Sequence, residues 1–318
     1  MKNINLTIVM LLILGFYSSI SSAQQDPQYT QYMYNTLSVN PAYAGTRDVL
    51  SFTGLYRNQW FGNNIKGTPK TFTASIHSPI ANNVSLGLNV VKDEIFITQE
   101  TYVDLDFSYL FKVSEKGRLS FGLKVGAHLL DVDSNRAYEG AYNPGDPDTE
   151  IFIDNKFSPQ FGAGAYYFTN RFYAGLSAPN ILATEHFDES SVDPESASNA
   201  TAKERVNYYF ISGHTFDLTD NILFKPAILV KLVQGAPLQA DLSANFLINK
   251  RFTFGAAYRW SAALSALAGF QITDQLMLGL AYDRETTELS KYNSGSIEML
   301  LRFELFKSNE NMVSPRFF

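Results

Sequence analysis

The chain has 318 residues, 25 basic and 31 acidic, for a net charge of −6; it lacks cysteine and carries 18 Tyr and 25 Phe against 2 Trp. An acidic balance with no basic stripe excludes binding to nucleic acid by phosphate neutralisation, and zero cysteines exclude disulfides and thiolate metal sites. Beyond the amino terminus no apolar run is long enough for a membrane helix, so membrane residence would have to be through strands.

The first element is a leader. Lys2 supplies a positive end, Ile8–Phe16 an apolar core, and Ser21-Ser22-Ala23 a small-residue cleavage site before Gln24. The apolar core is shorter than the roughly 20 residues a bilayer needs. Residues 1–23 are therefore expected to be a signal peptide.

Residues 24–47 follow, rich in amide and aromatic side chains, with prolines at 27 and 41 and no strand pattern. This segment is expected to lie in the periplasm or to fold back into a barrel mouth. In the second case Tyr29, Tyr32, Met33 and Tyr34 would wedge against the inner wall while Gln28, Gln31 and Asn35 serve its polar groups. The sharper alternative is a docking segment for a partner, with Asp26, Pro27, Gln28, Tyr29, Gln31, Tyr32, Asn40 and Pro41 making the contacts.

From residue 48 to 306 apolar and polar residues alternate in runs that predict fourteen strands: 48–58, 70–79, 83–92, 100–112, 118–131, 156–168, 171–178, 204–216, 220–233, 237–248, 252–260, 263–272, 276–285 and 295–306. Most match the roughly 9–11 residues of a tilted membrane strand. Short turns at 81–83, 113–117, 169–170, 217–220, 249–251 and 273–275 contrast with excursions at 59–69, 132–155 and 179–203. Loop length sorted by side is how an outer-membrane barrel is threaded, and an even strand number puts both barrel ends on one side. The fold class expected is all-β: a transmembrane antiparallel β-barrel of about fourteen strands with an amino-terminal non-barrel segment, both termini periplasmic, and a short tail at 307–318. A soluble sandwich with one wet face would share the alternation; the leader and the loop lengths favour the barrel.

In that barrel Val84, Leu86, Leu88 and Val90 face lipid, as do Val103, Leu105, Phe107, Tyr109 and Phe111, and Ile297, Met299, Leu301, Phe303 and Leu305. Charge on the lipid face near the midplane costs about 2–4 kcal/mol. Asp104, Asp106, Lys124, Arg302 and Glu304 therefore belong to the lumen, as an ion-pair ladder in which Lys124 answers the two aspartates across neighbouring strands. Aromatics at 109, 111, 166–168, 172, 173, 252 and 254 bracket the short turns and suggest an interfacial girdle. Gly87, Gly122, Gly126, Gly162, Gly164, Gly175 and Gly279 fall on the lumen register. They either permit curvature, the simpler reading, or make room for lumen contents.

The long loops carry acid, including Asp146, Asp148, Glu150, Asp154, Glu185 and Asp188. These are candidate contacts for a basic partner or a divalent cation if they are more than solvated loop. Residues 146–150 lack the glycine and distal glutamate of a calcium loop. Four histidines show no metal spacing, and no nucleophile elbow or phosphate loop occurs. No catalytic residue, cofactor or metal is expected.

Residues Asp26-Pro27-Gln28-Tyr29-Thr30-Gln31-Tyr32, then Asn40-Pro41-Ala42-Tyr43-Ala44-Gly45, resemble the opening of the PorP/SprF family of type IX secretion membrane proteins. Tyr56-Arg57-Asn58-Gln59-Trp60, Gly67-Thr68-Pro69, His77-Ser78-Pro79 and Ser314-Pro315-Arg316-Phe317-Phe318 resemble it too. The resemblance implies an outer-membrane barrel of Bacteroidota, similar in architecture to the long-chain fatty-acid transporters. It also implies partners: the lipid bilayer, the type IX secretion machinery, and a large secreted adhesin with a type IX carboxy-terminal domain, sometimes tied to gliding. A transporter or channel for small or hydrophobic solutes is the rival reading.

Overall fold

The computed structural model describes residues 27–62, 67–133, 152–182 and 205–305. The described chain is mostly strand: β1 (Leu50–Asn58), β2 (Lys70–Pro79), β3 (Val84–Ile95), β4 (Thr98–Lys112), β5 (Arg118–Asp133), β6 (Phe152–Phe168), β7 (Phe172–Ala178), β8 (Asn207–His214), β9 (Phe216–Thr219), β10 (Ile222–Val233), β11 (Gln239–Ile248), β12 (Phe252–Arg259), β13 (Ala263–Gln271), β14 (Leu276–Glu285) and β15 (Ser296–Leu305). Thr215 separates β8 from β9, and both pair with β10, so the two are one membrane span. Fourteen antiparallel spans result. The sheet closes where β1 meets β15, in register from Leu50 opposite Leu305 to Asn58 opposite Ile297.

Closure removes every free edge, and lipid inverts the usual rule for burial. Phe52, Phe72, Leu105, Leu123 and Leu176 point out and are exposed, while Thr53, Thr73, Asn89, Asp106 and Lys124 point in and are buried. The register predicted for Val84–Val90, Val103–Phe111 and Ile297–Leu305 is the one found.

Several strand boundaries differ from expectation by two to four residues, and three of them change a link between strands. Strand β3 runs on to Ile95 and β4 begins at Thr98, leaving only Phe96 and Ile97 between them, with Phe96 at φ 55°. At the opposite mouth β9 continues through Thr219, and the turn is Asp220-Asn221 rather than 217–220. Loop length is consequently sorted in one direction only. The turns at the β2–β3 mouth are all short, but the other mouth mixes long loops with the brief β3–β4 and β12–β13 links.

The girdle also splits. Period-two alternation sends Tyr166, Phe168 and Tyr173 inward, where they are buried, and sends their neighbours Tyr167 and Phe172 outward. The outer belt continues at the short-turn mouth through ring contacts of Phe172 with His214, Phe216 with Phe224, Phe224 with Phe246, and Phe252 with Phe270.

Candidate functional site

The lumen is the candidate site, because residues 27–48 run through it from mouth to mouth. Gln28 Nε2 donates to Gln239 Oε1 (2.9 Å) at the start of β11, on the long-loop side. At the other end Arg118 pairs with Asp48 (3.0 Å) beside the short turns. The described chain thus begins at one mouth, at Pro27, and ends at the other, at Leu305. The two ends of the barrel, Leu50 and Leu305, lie together at the short-turn mouth, while the chain termini, residues 1–26 and 306–318, lie outside the described residues.

The segment is built from small turns. Tyr34 N–H donates to Gln31 O and Asn35 N–H to Tyr32 O, leading into a four-residue helical turn, α1 (Thr36–Val39). Asn40 then caps a 3₁₀ turn over Pro41–Tyr43: its Oδ1 accepts the Ala42 N–H (3.0 Å), while proline at the first position lacks an N–H that would otherwise go unpaired. Asn40 Nδ2 meanwhile donates to Ala165 O on β6 (3.1 Å), so a single fully buried amide both caps the turn and ties it to the wall. Gly45 takes φ 71°, and its N–H donates to His77 Nδ1 (3.1 Å).

Apolar packing fills the centre. Tyr29, Tyr32, Met33, Tyr34, Leu37, Val39 and Tyr43 form one buried cluster with wall residues that include Leu55, Tyr166, Tyr173, Ile211 and Leu300. The Tyr43 ring meets Tyr166 edge-on at 5.5 Å. Tyr32 shares a hydrogen bond with Ser243 (3.2 Å).

Two charged clamps hold the ends. Toward the long-loop mouth, Glu298 accepts the backbone N–H groups of Thr30 (2.9 Å) and Gln31 (2.8 Å), and Thr30 Oγ1 donates to Asp283 (2.7 Å). Arg57, 1 % exposed, pairs with both carboxylates, at 2.7 Å to Asp283 and 3.1 Å to Glu298. Toward the short-turn mouth, Arg47 reaches Glu304 through Nε (2.5 Å) and Nη2 (3.0 Å), a two-pronged guanidinium–carboxylate pair.

The wall is cut to this shape. An added Cβ at Gly122 would stand 2.2 Å from Ala42 N and 2.4 Å from Pro41 C; at Gly164 it would meet Asn40 Oδ1 at 2.2 Å, and at Gly279 Gln31 Oε1 at 2.2 Å. At Gly175 it would meet Tyr166 Cδ2 at 2.7 Å and Asn40 Nδ2 at 2.8 Å, and at Gly87 Leu37 Cδ2 at 3.2 Å beside the wall's Asp106 Cβ at 3.3 Å. The simpler reading of these glycines as curvature therefore gives way to room for lumen contents at Gly122, Gly164 and Gly279, and in part at Gly175. Gly162 and Gly126 make room for wall groups, Pro179 and Asp104. Gly122→Ala should destabilise the folded barrel by about 1–3 kcal/mol and expose residues 27–48 to protease, because backbone has to move. Gly54→Ala, whose Cβ would meet only Phe52 at 3.8 Å on the outer face, should shift the denaturation midpoint by less than about 0.5 kcal/mol.

The predicted motif residues are thus gathered, but onto the wall. Tyr29, Gln31, Tyr32, Asn40 and Pro41 are buried against it, and Pro27 and Gln28 are half-buried at the long-loop mouth. Asp26 lies outside the described residues, as do Asp146, Asp148, Glu150, Glu185 and Asp188; Asp154 is exposed at the long-loop end of β6. In the ladder, Lys124 Nζ sits 2.8 Å from Asp104 and 3.9 Å from Asp106. Arg302 and Glu304 belong to a separate group with Arg47. Alternation puts Asp283 and Glu298 on the lumen face without naming a partner for them, and sequence reasoning did not single out Arg47 or Arg57. Their inward register was readable, but the partners that unite them come from strands far apart in sequence and from a segment with no strand pattern.

A family model described as "Type IX secretion system membrane protein PorP/SprF" matches residues 21–303. No curated protein matches the chain. Among solved structures, the CymD monoaromatic hydrocarbon channel aligns over 92 % of this chain and 96 % of its own at 10 % identity and TM-score 0.50. A Pseudomonas aeruginosa FadL homologue aligns over 91 % and 96 % at 14 % identity and TM-score 0.43, and Acinetobacter baumannii Omp33 over 81 % and 100 % at 10 % and 0.44. At such identities the likeness is one of fold: outer-membrane barrels.

Proposed function

Because the chain belongs to the PorP/SprF family of type IX secretion membrane proteins, an outer-membrane barrel serving that system, we propose that it helps to export or anchor a large surface adhesin by holding it rather than by conducting it. The observation that carries this reading is the filled lumen. A wall cut at Gly122, Gly164 and Gly279 to seat residues 27–48, and clamped to them at both ends, gives the centre of the lumen to the chain's own side chains, which favours holding a partner over conducting one. Contact with partners then falls to the two mouths. The long loops, with their acidic residues, would face the cell exterior and meet the exported protein, and the short turns and the tail would face the periplasm and the secretion machinery. In that orientation Pro27 sits at the outer mouth and Leu305 at the periplasmic one. A role in gliding would follow from the identity of the adhesin.

Affinity capture of a loop-tagged chain from detergent-solubilised outer membranes tests this. Recovery of a large exported protein bearing a type IX carboxy-terminal domain is the expected result. A folded preparation that brings down no such protein would overturn the adhesin reading and turn attention to the solute-transporter alternative.

A further inference from the structure

Beside the Arg47–Glu304 clamp a cavity of about 220 Å³ opens at the short-turn mouth. Its walls include Leu223, Leu247 and Met277, its rim Lys250 and Arg251, and at its inner end stands Arg302. Against the roughly 10–15 Å³ that one water needs, it has room for a small organic molecule.

Arg302 is 5 % exposed and incompletely satisfied. Its Nη2 donates to Met277 Sδ (3.2 Å), a weak acceptor, and its guanidinium lies 5.6 Å from the centre of the Tyr34 ring. Its Nε is 3.6 Å from Glu304, too long for a hydrogen bond, and that carboxylate is already taken by both prongs of Arg47. Among the described residues Arg302 Nη1 has no hydrogen-bond partner. Lys225, buried against the Tyr173 ring (4.9 Å), lies within electrostatic reach of both Arg47 and Arg302. A buried guanidinium short of an acceptor, in cationic surroundings, costs stability unless an anion completes it.

We infer that this cavity binds a small monocarboxylate amphiphile, its head on Arg302 Nη1 and its apolar chain along Leu223, Leu247 and Met277. A planar guanidinium suits a carboxylate, and the apolar walls select against a fully hydrated ion. Lys250 and Arg251, exposed in the β11–β12 turn, would draw the anion in. Lys250 is held at φ 54° there by the hairpin. The site does not depend on the secretion reading.

The test is calorimetric titration of the full chain in non-ionic detergent with hexanoate and with hexanol. Saturable binding of hexanoate and none of hexanol is expected, with Arg302→Gln weakening hexanoate by about tenfold or more, as loss of a charge-assisted hydrogen bond does. The exposed pair Lys250→Gln/Arg251→Gln, which leaves the lumen intact, should bind about threefold more weakly with a flatter dependence on salt. Heat-modifiable migration on gels confirms folding of each variant. Hexanol binding as well as hexanoate, no hexanoate binding to the folded chain, or undiminished binding by folded Arg302→Gln would each overturn the proposal. Should Arg302→Gln fail to fold, undiminished binding by the rim pair would do the same.

Discussion

Deletion of residues 27–44 will convert a closed barrel into a conducting one. In planar bilayers the shortened chain should show discrete conductance steps where the full chain shows none. About eight strands give an interior that wall side chains just fill, and 16–18 leave an aqueous channel; fourteen spans need something more than their own side chains to seal. Here Tyr29, Tyr32, Tyr34, Leu37 and Tyr43 supply it. Once they are gone, the wall left behind is largely Ser, Thr, Asn and paired ions, including Thr53, Thr73, Ser75, Asn89 and Asn245, which water can solvate. The deletion retains Arg47 and Asp48, so the clamp to Glu304 and the lead into β1 persist. A shortened barrel that folds yet stays silent would mean that wall side chains close the lumen by themselves.

Arg57→Met will be the most damaging single substitution in the barrel wall. Arg57 is the counter-charge for Asp283 and Glu298, themselves 1 % and 2 % exposed, and those carboxylates hold Thr30 and Gln31. Removing the cation strands two acids in a closed interior, a loss of about 3–5 kcal/mol for a buried pair broken on one side. The denaturant midpoint of folded protein, followed by heat-modifiable migration, should fall accordingly, and residues 27–31 should become protease-sensitive. Adding Asp283→Asn and Glu298→Gln to Arg57→Met should recover much of the loss, because the stranded charges then disappear. A triple variant no more stable than the single one would show that packing of the arginine stem, not charge, is what matters.

Much of the barrel was legible from alternation alone. Val103–Phe111 and Ile297–Leu305 admit only one face for lipid, and a one-residue slip would put Asp104 or Glu298 there. Strand ends were less legible where a strand outruns the bilayer: β4, β5 and β6 are 15, 16 and 17 residues long, and nothing in Phe96-Ile97 marks a two-residue link. Inside the lumen the pairing of Lys124 with Asp104 could be read because the two lie on adjacent strands. The clamps could not, since Thr30 meets Asp283 and Glu298 across more than 250 residues. The inward glycines were visible, but only the path of the chain through the barrel distinguishes a seat from a bend.

The clamps also impose an order of events. Residues 27–48 are made and exported before any strand, yet their anchors sit on the last two strands: Thr30 waits 268 residues for Glu298, and Arg47 waits 257 for Glu304. Contacts so distant in sequence bring no reward until the intervening chain has paired. The same strand, β15, closes the seam against β1, which the segment enters directly. Sealing the wall and seating its contents are therefore one terminal step, and a nascent chain truncated before β15 can complete neither.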